Sequence, residues 1–155
     1  MKAITIWQPW ASLIMAGFKP HEFRGWPAPK VLIGQRIVIH AGSRRVVVRE
    51  VDTLIADIDQ GEWIGLVGGK PLRDLLERCR HEPRTLPLAA GLGTAVLGTP
   101  RLACDLWPEK FKADSERVEH SNWAWPLADV QHFTPIVPTP GRQGFWQWPW
   151  SGAPQ

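Results

Sequence analysis

The stretch GFKPHEFRGW places Lys19, Glu22 and Arg24 within six residues, between the apolar runs ASLIMAG and VLIGQRIVIHAG. A lysine partly withdrawn from water beside an arginine has its pKa pulled towards neutrality, because both effects disfavour the ammonium. That is how a lysine becomes a base or a nucleophile. Glu22 would then orient a water or take up a proton, and Arg24 would hold Glu22 or bind an oxyanion. These three groups suffice for hydrolysis of a small amide without a metal. The plainer reading is a Glu22–Arg24 couple that organises the fold, with Lys19 exposed beside it.

The elements around the three charges decide whether they converge. Ala3–Trp7 is rich in β-branched residues and reads as a strand. Pro9 suits the first turn of a following helix and Gly17 its stop, although Gln8 is a poor cap. Trp10, Leu13, Ile14 and Gly17 keep helical spacing and define a buried face. His21–Arg24 reads as a short strand whose alternation puts Glu22 and Arg24 on one face. Pro27 and Pro29 end it. Arg36–His40 is the clearest strand, and Ser43 is positioned to cap a helix over Arg44–Asp59. A Gly-rich bend at Gly65–Gly69 precedes a short helix from Pro71 to about Arg80, and His81–Pro87 reads as loop. Strand character resumes over Gly93–Leu106 and again from Trp123. The sum is an α+β chain with short strands, and it suggests a small barrel with helices outside it.

Composition narrows the function. With 155 residues, 44% hydrophobic and 21% charged, the chain suits one globular domain over residues 1–155. No apolar run approaches the ~20 residues that span a bilayer, so no membrane role is expected. MKAITIWQPW carries no apolar leader, and Cys79 and Cys104 read as free thiols, which places the protein in the cytoplasm. The five histidines show no metal spacing, so neither metal nor cofactor is expected. Residues 1–50 hold eight Lys and Arg against Glu22 and Glu50, a net +6, while the remainder is net −3. A basic first third suits an anionic partner such as nucleic acid.

The motif from Gly17 to Arg24 resembles the G-x-K-x-x-E-x-R signature of ASCH domains, members of the PUA-like superfamily. Trp7-Gln8-Pro9-Trp10-Ala11 is similar to the Q-P-[WY]-A segment before that signature, and Ile37–Ala41 to the strand after it. Gly141-Arg142-Gln143-Gly144-Phe145-Trp146 resembles the family's closing G-x-x-G-x-W. The resemblance implies a PUA-like β-barrel of five or six mostly antiparallel strands with flanking helices and a cleft under the first helix. Residues 59–92 are the least covered and read as an insert. The resemblance also sets Gln8 among the substrate-binding residues. The relatives it brings in include RNA-binding domains, acetylcytidine amidohydrolases and ribonucleases. In the amidohydrolases a threonine stands at the position of Glu22 and a glutamate further on takes part; Glu116 and Glu119 match that glutamate by position only.

Other residues bear on substrate. The chain has ten Trp and no Tyr. Trp7, Trp10 and Trp26 flank the signature, and Trp123 and Trp125 are placed to return to it. An indole that stacks on a base contributes about 1–3 kcal/mol without reading sequence. Asn122 offers an amide to a base edge. Arg44 and Arg45, at a helix start where cations oppose the dipole, suit phosphate. His40 is expected either to face the cleft or to serve as a hydrogen-bonded structural residue. The leading expectation is RNA, or a single (possibly modified) nucleobase or nucleoside, bound in a cleft of Lys19, Glu22 and Arg24 with Trp walls. The alternatives are a metal-independent hydrolase acting on acylated nucleosides, a ribonuclease, or a protein-interaction module using an exposed Trp146–Trp150 patch.

Overall fold

The structure, a computed structural model, describes residues 1–62, 65–111 and 123–149. Its elements follow in order: β1 (Lys2–Ile6), α1 (Trp10–Met15), β2 (His21–Arg24), β3 (Arg36–Ala41), α2 (Val48–Asp59) and α3 (Gly69–His81). Then come β4 (Ala90–Leu97), β5 (Arg101–Leu102), α4 (Ala103–Leu106), α5 (Pro108–Phe111), β6 (Trp123–Pro138) and β7 (Phe145–Gln147).

The strands form one curled sheet in the order β2-β6-β4-β3-β1-β7, with β5 paired to β6. Among the described residues only β1 and β3 run parallel, joined through α1 and β2; the remaining pairs are antiparallel. β2 and β7 are the two edges of this half-barrel. The expected α+β barrel is thus an open curl, with the two-residue β5 as a seventh strand. An open curl leaves a gap between its edges, and that gap is where a site can form.

Three apolar clusters hold the curl. Ile4, Ile6, Ile37, Ile39, Leu92 and Trp125 fill its inside, because β1 and β3 turn isoleucines inward at every second residue. Trp125 stacks on Phe145 with centroids 5.5 Å apart, which ties β6 to β7 through the core. Leu13 of α1 meets Val51, Leu54, Ile55, Leu72 and Leu76 in a helical layer. Arg73–Asp59 and Arg80–Asp52 ion pairs at 2.8 and 2.9 Å link α3 to α2. On the outer face Ala3, Val38, Phe133, Trp146 and Trp148 form the third cluster.

Several expectations are corrected here. The helix expected from Arg44 begins at Val48, and Ser43 makes no cap. Arg44 and Arg45 therefore precede the helix instead of opening it, and its first turn carries Glu50, which suits the dipole, beside Arg49. Ala103–Leu106 is a helical turn rather than strand. Trp146 and Trp148 are buried against the sheet, which removes them from any exposed patch; Trp150 lies outside the described residues.

Candidate functional site

Lys19 reaches its place because α1 stops sharply. Gly17 adopts φ +77°, and the backbone amides of Phe18 and Lys19 both donate to Leu13 O, at 2.9 and 3.1 Å. A glycine in the left-handed region is the usual way to end a helix so tightly. The chain then turns through Pro20 into β2, where Glu22 opposes Trp125 and Arg24 opposes Trp123.

Glu22 stands between two cations. Lys19 Nζ donates to Glu22 Oε2 at 2.7 Å and to the carbonyl of His21 at 2.5 Å. Arg24 Nε lies 2.9 Å from Glu22 Oε1, but its N–H is not aligned on that oxygen, so this contact is an ion pair without a hydrogen bond. Arg24 Nη2 donates to Thr5 O at 3.3 Å. Lys19 and Glu22 are 6% and 7% exposed. The reading with Lys19 exposed is therefore wrong: the end of α1 and β2 enclose it. Burial pushes the Lys19 pKa down, with the Glu22 carboxylate pulling it back up and Arg24 adding to the fall. Burial also lowers His21, and the neighbouring Lys19 charge adds to that.

The triad forms part of the lining of a cleft of about 810 Å³, within the range of small-ligand sites. Trp7, Trp10 and Trp26 line it as well. Trp7 and Trp26 are 56% and 49% exposed, so each leaves much of a large aromatic ring open to the solvent. The Arg44 guanidinium lies 4.4 Å from the Trp7 ring centroid, and that of Arg24 lies 5.8 Å from Trp26. Arg44 also pairs with Glu50 at 2.6 Å. It braces Trp7 rather than lining the cleft itself, and Arg45 is exposed outside the lining.

Other expected site residues are placed elsewhere. Gln8 is buried: its Nε2 donates to Pro87 O at 2.9 Å and its Oε1 accepts from Ser12 N at 3.1 Å. With both ends of its amide engaged, it caps α1 from inside rather than meeting a substrate. His40 is fully buried, with Nε2 2.7 Å from Thr139 O and Nδ1 3.3 Å from Thr5 Oγ1. A carbonyl only accepts, so Nε2 carries the proton and Nδ1 accepts from the Thr5 hydroxyl. His40 is the structural histidine of the two readings. Trp123 packs against the main core outside the cleft, and Trp125 is core, its Nε1 donating to Trp26 O at 3.0 Å. Asn122, Glu116 and Glu119 lie outside the described residues.

The residues overlooked in the sequence are on the turn between β6 and β7. Arg142 and Gln143 line the cleft beside Thr5. Their signal in the sequence is the G-R-Q-G segment, whose two glycines bracket Arg142 and Gln143. Among the described residues no group of three His, Cys, Asp or Glu is placed to hold a metal ion, and no helix is long and apolar enough to cross a membrane.

The model of the ASCH domain matches residues 4–136. No curated protein matches the chain. The crystal structure of ASCH from Zymomonas mobilis is 20% identical, covering 84% of this chain and 68% of that one with a TM-score of 0.42. A mutant of the same Zymomonas mobilis protein gives 20% identity, 84% and 69% coverage and a TM-score of 0.42.

Proposed function

The chain belongs to the ASCH domain family, and from that premise we propose that the cleft holds an unpaired nucleobase, of RNA or of a free (possibly modified) nucleoside. ASCH domains are generally thought to bind RNA. The observation that carries the reading is the pairing of two half-exposed indoles, Trp7 and Trp26, with a buried, charge-compensated floor in one cleft. Each indole offers a stacking face. Glu22 Oε1 has no aligned hydrogen-bond donor among the described residues, which leaves it as an acceptor for a base N–H. Lys19 holds the other oxygen and prevents the carboxylate from turning away.

The hydrolase alternative asks Lys19 to give up its proton. Burial favours that step, while the bond to Glu22 works against it. These opposed effects favour binding over turnover at this site.

Tryptophan fluorescence of the protein would be titrated with cytidine, N4-acetylcytidine and a short single-stranded RNA. Saturable quenching is expected, with affinity about 5- to 150-fold weaker in Trp7→Ala if one stacking contact is lost. No binding of any of the three ligands, or an unaltered Trp7→Ala, refutes the proposal. Product formation that disappears in Lys19→Ala, with the fold intact by circular dichroism, would replace it with the hydrolase reading.

A further inference from the structure

We infer that Arg142 is the phosphate receptor of this cleft, so that the ligand is a nucleotide unit and not a bare nucleoside. The inference rests on the base-binding reading above and specifies the substrate class of the same site. Its starting point is where each positive charge around the cleft is spent. Lys19 and Arg24 both face Glu22, at 2.7 and 2.9 Å. Arg44, just behind Trp7, is paired with Glu50. Arg142 is exposed, lines the cleft and has no ion pair among the described residues. A guanidinium left over in this way supplies the planar fork that suits a phosphate.

The turn carrying Arg142 is built to hold it there. Thr139 is fixed on both sides, its amide donating to Ala89 O at 2.8 Å and its carbonyl accepting from His40 Nε2 at 2.7 Å. Gly141 sits directly on the buried His40–Thr5 pair: a Cβ there would lie 2.5 Å from His40 Cε1 and 2.8 Å from Thr5 Oγ1. Only glycine allows so close an approach. Thr5 is in turn held by Trp146 Nε1, which donates to its hydroxyl at 3.1 Å, and its carbonyl accepts from Arg24. Thr5 thus joins the two sides of the site: Arg24 on edge strand β2, and the turn that leads into edge strand β7. The buried His40 acts on the cleft through this turn, as a positioning residue for Arg142.

The phosphate can belong to a free nucleotide or to the backbone of an RNA chain. Isothermal titration would compare each of the four ribonucleosides with its 5′-monophosphate and with the matching dinucleoside monophosphate, whose only phosphate is an internal diester. The expected result is a preference of about tenfold or more for phosphate-bearing ligands, falling to near unity in Arg142→Gln and retained in Trp7→Ala, where all ligands weaken together. Preference for the monophosphate over the diester assigns the phosphate to a free nucleotide, and equal affinity assigns it to a chain. For a short RNA, the slope of log affinity against log salt should become shallower by about one in Arg142→Gln. Equal affinity for nucleosides and nucleotides, or a preference that survives Arg142→Gln, overturns the inference while leaving the base-binding reading intact. Binding of none of these ligands overturns both.

Discussion

Lys19 and Glu22, three residues apart, meet 2.7 Å from each other where little water reaches either side chain. Withdrawing both from solvent is expensive, and mutual attraction offsets it only when the remaining lone pairs and protons find partners. His21 O gives the Lys19 ammonium a second acceptor, and Arg24 adds a second positive charge beside Glu22 without a hydrogen bond to it. The pair is therefore sensitive to which member is removed.

Glu22→Gln leaves Lys19 and Arg24 without their shared counter-charge and should destabilise by about 3 kcal/mol, the lower end for a broken buried pair, because Lys19 can shed its proton. Lys19→Met should cost less, since Arg24 still balances Glu22. Urea denaturation of both variants checks the order, and the reverse order would contradict this account of the triad.

Two tryptophan substitutions separate packing from function. Trp125→Ala empties the centre of the main core and should cost about 3–5 kcal/mol. Trp26→Ala removes a half-exposed ring and should change stability by only about 0.5 kcal/mol while weakening base binding. Thermal melts alongside a ligand titration give both numbers; a Trp26→Ala protein that melts like Trp125→Ala would show the ring to be structural.

Gly141→Ala drives a methyl group into the His40 ring and should cost about 1–3 kcal/mol through overpacking. Gly17→Ala meets no atom within 4 Å and costs only its left-handed backbone, about 1–2 kcal/mol. Their stabilities should be similar, but only Gly141→Ala displaces the Arg142 turn. Nucleotide affinity measured in both variants should fall in the first and hold in the second.

Burial lowers His40 from its ordinary value near 6.5, its bond to Thr139 partly opposing the shift, and His21 is lowered as well. The unfolded chain therefore takes up protons near pH 6.5 that the native protein refuses. The stability these histidines contribute is complete above that pH and is lost as pH falls through it towards their native values. His40→Gln should flatten the decline in unfolding free energy between pH 7 and pH 5 without abolishing it, because His21 remains. An unchanged slope would mean that His40 titrates freely.

Much of the local structure was legible from residue order. His21–Arg24 forms the expected strand to the residue, because alternation and a flanking proline are properties of the segment itself. β3 was equally plain from Ile37-Val38-Ile39. The start of α2 was not: Arg44 has good helical propensity, but its guanidinium is drawn to the Trp7 face and to Glu50, and the helix waits until Val48. Tertiary contacts outweighed a propensity difference of a few tenths of a kcal/mol. Residue order did not settle the roles of Gln8, which the resemblance set among the substrate-binding residues, or of His40, which it left between two roles. Their partners, Pro87 and Thr139, lie 79 and 99 residues away.

Residue order by itself determined the strand and helix periods, the glycine that ends α1, and the family signature that puts lysine, glutamate and arginine within one turn and one short strand. The curling of the sheet decided which of the tryptophans meet solvent, how far Lys19 is buried, and that Arg142 shares a cleft with residues more than a hundred positions earlier. Periodicity is set by backbone geometry over a few residues and so can be read locally. Burial and charge compensation depend on which distant surfaces come together, and only the folded chain brings them together.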